Sequence, residues 1–64
     1  MKAWYIEATI NGETRWLSIN KDDLYWSLNR EFALSFAKEI VTQEAMFYFR
    51  PTTEFAEAVE HEVI

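Results

Sequence analysis

The stretch that decides the fold is Lys2-Ala3-Trp4-Tyr5-Ile6-Glu7-Ala8-Thr9-Ile10-Asn11-Gly12-Glu13-Thr14-Arg15-Trp16-Leu17-Ser18-Ile19. Trp4, Ile6, Ala8 and Ile10 alternate with Tyr5, Glu7 and Thr9, the period of two that a half-buried strand requires. Asn11-Gly12 follows, the preferred pair for a two-residue type I′ turn, in which both central residues take positive φ. A two-residue loop fixes the register of the return strand. Ile10 then faces Glu13, Ala8 faces Arg15, Ile6 faces Leu17 and Trp4 faces Ile19. One face collects Trp4, Ile6, Leu17 and Ile19. The other collects Tyr5, Glu7, Thr9, Thr14, Trp16 and Ser18.

Working outward, Asn20-Lys21-Asp22-Asp23 reads as a polar connection, and Leu24-Tyr25-Trp26-Ser27 as a short aromatic third strand. Asn29 is placed to cap a helix, since its side chain can accept from the free amides of a first turn. Apolar residues at helical spacing continue to Phe49, and Pro51 ends the pattern by disfavouring α geometry at Arg50. On a wheel this helix is apolar over more than half its circumference, with Lys38, Thr42, Ser35, Glu39 and Gln43 on the polar side, interrupted by Met46 and Phe49. A helix lying on one small sheet buries a narrower stripe. The excess has three explanations: a break near Thr42, burial between the sheet and a second copy, or a flank that binds a partner. The segment from Pro51 is readable as helix or strand; a strand over the last seven or so residues completes the sheet. The expected architecture is therefore α+β: an antiparallel hairpin and meander of three to four strands, with one long helix on the Trp4/Ile6/Leu17/Ile19 face, in a single domain spanning residues 1–64.

Composition limits the chemistry. The 64 residues contain no cysteine, which removes disulfides and thiolate metal sites. Eleven aromatics (three Trp, three Tyr, five Phe), with one Gly and one Pro, argue for a packed core rather than disorder. No leader or bilayer-length apolar run is present, so a cytoplasmic location without a membrane is expected. The only histidine, His61, stands between Glu60 and Glu62, whose side chains diverge from it in either regular conformation. A zinc site needs three or more converging ligands, so neither a metal nor another cofactor is expected. Asp22-Asp23 lacks calcium-loop spacing. Nothing assembles a nucleophile, base and orienting group, so an enzyme is not expected.

The formal net charge is −5, concentrated in the second half: six acids against Lys38 and Arg50 over residues 33–64. That balance disfavours direct nucleic-acid binding, although Tyr5 and Trp16 on an open sheet face resemble a base-stacking platform. It favours simple solubility first, or a basic protein partner. Glu54, Glu57, Glu60 and Glu62 could imitate phosphates, because alternate carboxylates on a strand recur about every 6.6–6.8 Å.

Tyr5-Ile6, Asn11-Gly12, Trp16-Leu17-Ser18, Tyr25-Trp26 and Ala33 through Phe36-Ala37 together resemble small uncharacterised proteins of phages and prophages, over roughly the first two thirds of the chain. The resemblance implies a protein that binds and disables or modulates a host protein, and assigns no residue a role. The expected function is thus a small acidic protein-binding module, contacting its partner through Tyr5, Trp16, Phe49, Glu54, Glu57, Glu60 and Glu62. The alternative is a structural domain that forms a homodimer through its wide helix face.

Overall fold

The computed structural model describes residues 1–63. Strands β1 (Lys2–Ile10), β2 (Glu13–Asn20), β3 (Asp23–Ser27) and β4 (Glu57–Glu62) form one antiparallel sheet in the order β3-β2-β1-β4. The Asn11-Gly12 turn has φ of 53° and 82° at its two residues, as type I′ geometry demands. A second two-residue turn, Lys21-Asp22, joins β2 to β3 and holds Lys21 at φ 58°, a left-handed conformation that a lysine adopts at a cost. The ambiguous C-terminal segment is a strand, β4, which pairs with β1 from Lys2↔Glu62 to Glu7↔Glu57. Ile64, also expected in that strand, lies outside the described residues.

The hairpin register holds from Ile10↔Glu13 to Glu7↔Trp16 and then stops. The pairs expected beyond it, Ile6 with Leu17 and Trp4 with Ile19, do not form ladder partners. The two strands instead fork, and the segment Ala33–Phe36 occupies the fork. Trp4 and Phe36 exchange both backbone hydrogen bonds, at 2.8 and 2.9 Å, and Leu34 N–H donates to Leu17 O at 3.0 Å. Backbone groups that the diverging strands would leave dry and unpaired are thereby satisfied.

This wedge is why the helix is shorter than its pattern. Asn29 does cap a helical turn, its Oδ1 accepting from Glu31 N–H at 2.9 Å, but that turn is a single 3-10 element, α1 (Arg30–Phe32). The main helix, α2, runs only from Glu39 to Tyr48, and a four-residue helix, α3 (Arg50–Thr53), follows with Pro51 in its first turn. The helix does not break at Thr42.

Nor does α2 present the expected face to the sheet. It packs over β1 and β4 with Thr42, Ala45, Met46 and Phe49 inward, at the i, i+3, i+4, i+7 spacing of one stripe. Thr42, expected on the polar side, is fully buried, and its hydroxyl donates to Lys38 O at 2.9 Å. The more apolar arc faces out. With Phe32 and Phe36 withdrawn into the preceding segment, no described residue covers Ile40, Val41, Phe47 or Tyr48, which are all exposed. Ile6 and Leu17, both at 0% exposure, form the centre of the core.

Candidate interaction surfaces

Two surfaces hold the chemistry. The first is the sheet face opposite α2. Glu7 and Trp16 are cross-strand partners, so their side chains stand on the same face, and the β1–β4 register brings His61 in beside Ala3 and Tyr5. Trp16 Nε1–H donates to Glu7 Oε1 at 2.9 Å. His61 Nε2 lies 2.7 Å from that same oxygen. A carboxylate oxygen can only accept, so this nitrogen carries the proton. Over the cluster lies Arg30, its guanidinium carbon 5.6 Å from the Tyr5 ring centroid and 5.8 Å from that of Trp16, within cation–π range.

Arg30 reaches this position through a local chain of polar contacts. Ser27 Oγ accepts from Asn29 N–H at 3.0 Å, and Asn29 in turn caps the 3-10 turn that begins at Arg30. Arg30 Nη2 then donates to Glu62 O at 3.0 Å, tying the β3 side of the molecule to β4. The cluster is satisfied except at Arg30 Nε, which is buried without a hydrogen-bond partner among the described residues: one carboxylate oxygen serves two donors, and two aromatic faces serve one cation. Tyr5, expected as a partner contact, is only 4% exposed and is not available as one. Trp16 is half-buried beneath Arg30. The sequence placed Tyr5, Glu7 and Trp16 on this face; Arg30 and His61 were missed, because only the fork and the β1–β4 pairing bring them in.

The second surface is the outward side of α2 with the turn after α3. Phe47, Tyr48 and Phe55 are 76%, 80% and 85% exposed. Ile40 and Val41 extend the ridge by two helical turns. Phe49, expected at the contact, is half-buried and turns inward, with Tyr48 edge-on against it at 5.0 Å. A groove of about 670 Å³ runs beside the ridge between α2 and α3, lined by Gln43, Met46, Phe47, Arg50, Pro51 and Glu54. Glu44 lies within the ridge and has no ion pair among the described residues.

The four C-terminal glutamates are exposed but do not form one row. Glu54 lies in the turn after α3, Glu57 is on the Glu7 face of the sheet, and Glu60 and Glu62 are on the other. Only the last two have the alternate-residue spacing expected of a phosphate mimic, and Glu62 Oε2 is 3.2 Å from the terminal amine. Among the described residues no three His, Asp or Glu side chains are grouped to hold a metal ion, and no helix is long and apolar enough to cross a membrane. Comparison with known protein families, with curated proteins and with solved structures finds no match to this chain.

Proposed function

We propose that this chain is a small acidic protein-binding module, acting in the cytoplasm by laying the outer side of α2 into an apolar groove of another protein. The observation that carries this reading is the doubled apolar character of α2: one stripe is used against the sheet, and a second is left uncovered. Ile40, Val41, Phe47, Tyr48 and Phe55 together expose on the order of 700 Å² of apolar side chain, close to the roughly 800 Å² that each partner contributes to a standard interface. Ile40, Phe47 and Tyr48 have the i, i+7, i+8 spacing of anchors in helix-in-groove recognition. Glu44 at the middle of the ridge favours a partner that offers a lysine or arginine there. The resemblance to phage and prophage proteins supports a host protein in that role, inhibited or modulated by occupation of its surface.

The test is affinity capture from host lysate with paired baits, wild type and Phe47→Glu/Tyr48→Glu. A partner retained by the first and lost by the second, with both baits folded by circular dichroism, is the expected result. A partner held equally by both baits would exclude the ridge. Binding that weakens steeply with salt while surviving the ridge variant would instead favour the glutamates as the contact.

A further inference from the structure

Three surfaces are open to a second copy of this chain, and charge separates them. Two α2 helices crossing antiparallel at Glu44 would set Glu44 against its own image and Lys38 against Arg50 of the partner subunit. The β4 edge carries glutamate at three of its six positions, so self-pairing would draw six carboxylates to one seam. The β3 edge has neither defect. After Asp23 its residues are Leu24, Tyr25, Trp26 and Ser27, all uncharged.

We propose that a second copy adds to the sheet at β3, antiparallel about a two-fold axis at Tyr25, to give one continuous eight-stranded sheet. The backbone is arranged for it. The two-residue turn at Lys21-Asp22 makes Asn20↔Asp23 a hydrogen-bonded pair, so by alternation Ser18↔Tyr25 and Trp16↔Ser27 also exchange bonds with β2. Leu24 and Trp26 therefore turn their N–H and C=O groups toward the open side. Among the described residues only Trp26 O has a partner there, Arg15 Nη1 at 3.3 Å, and a carbonyl keeps a second lone pair.

With the axis at Tyr25, Leu24 pairs with Trp26 of the partner subunit and Asp23 with Ser27 of the partner subunit. Four backbone hydrogen bonds form, and no like charges meet. Tyr25, 41% exposed, lies beside its own image in a non-hydrogen-bonded pair. Exposed Leu28 and Ile19 flank the seam. A five-residue edge falls below the roughly 1,200 Å² of a stable interface, so the dimer is weak and concentration-dependent.

Absence of cysteine makes the test clean. Sedimentation of the wild-type chain from about 10 μM to about 1 mM is expected to show the mass rising toward twice that of one chain, as a weak interface requires. Tyr25→Cys should form a disulfide-linked dimer under mild oxidation, because Cα atoms of a non-hydrogen-bonded pair lie about 4.5 Å apart, within disulfide reach. Tyr48→Cys, still more exposed on the helix ridge, should not. Tyr25→Lys should stay monomeric at the highest concentration while melting like the dilute wild type. A single-chain mass throughout, equal cross-linking of both cysteine variants, or undiminished dimerisation of Tyr25→Lys would each overturn the proposal.

Discussion

Replacing Glu7 by alanine removes the acceptor shared by Trp16 Nε1 and His61 Nε2. Each donor left without a partner in a dry site costs about 1–3 kcal/mol. The site is not fully dry: the Glu7 and His61 side chains are 19% and 28% exposed, so water recovers part of each loss. Taking about 1–1.5 kcal/mol for each of the two donors gives about 2–3 kcal/mol. For a domain of this size each kcal/mol moves the melting temperature by about 4–8 °C, so Glu7→Ala should melt roughly 10–20 °C lower. Glu7→Gln separates geometry from charge. It keeps an acceptor oxygen and forfeits only the charge assistance, which roughly doubles a hydrogen bond's strength, so it should lose about 1 kcal/mol. Urea denaturation followed by tryptophan fluorescence measures both. If Glu7→Ala unfolds within about 0.5 kcal/mol of wild type, the size of an ordinary surface effect, the cluster does not stabilise the fold as argued.

Other perturbations discriminate the remaining elements. Leu17→Ala, at a site with no exposure, should lose about 2–5 kcal/mol in the same denaturation assay. Thr42→Val should change stability by less than about 1 kcal/mol, because Lys38 O keeps its bond from Thr42 N–H and the buried hydroxyl is exchanged for a methyl group. Lys21→Gly relieves the left-handed strain in the second turn and should gain stability, by up to about 1 kcal/mol, with the exposed side chain leaving no cavity. Phe47→Glu, on the uncovered ridge, should leave the unfolding midpoint within about 0.5 kcal/mol of wild type while abolishing partner binding; a large destabilisation would place Phe47 in the core.

The hairpin was legible because two independent signals, turn chemistry and alternation, point to one register. β3 and β4 followed from strand-like composition and from the need to complete a small sheet. The helix was not delimited correctly, for a specific reason. Phe32, Ala33 and Phe36 fit a helical wheel, yet the fork between β1 and β2 offers Trp4 and Leu17 backbone groups that only an extended segment can satisfy. That competition is non-local and leaves no periodicity to read. The same blindness extends to the surfaces. Glu7 and Trp16 were placed on one face by register alone, whereas Arg30 and His61 arrive through contacts spanning 32 and 54 residues of sequence. The excess of apolar residues on the helix was visible; which side would face outward was not, because the start at Glu39 and the burial of Thr42 set the rotation.

The wedge in the fork also orders the events of folding. The Asn11-Gly12 hairpin closes over a two-residue loop and can form within microseconds, but its open half stays unpaired until Ala33–Phe36 arrives. Trp4 and Phe36 each donate to the other, so separation of the two segments exposes both amide protons at once. Native-state hydrogen exchange should find these two amides opening together with a single free energy, separate from the Ala8 and Ile10 amides of the closed hairpin. The molecule would then have two cooperative units divided at Glu7 and Trp16, where the ladder ends and the cluster begins.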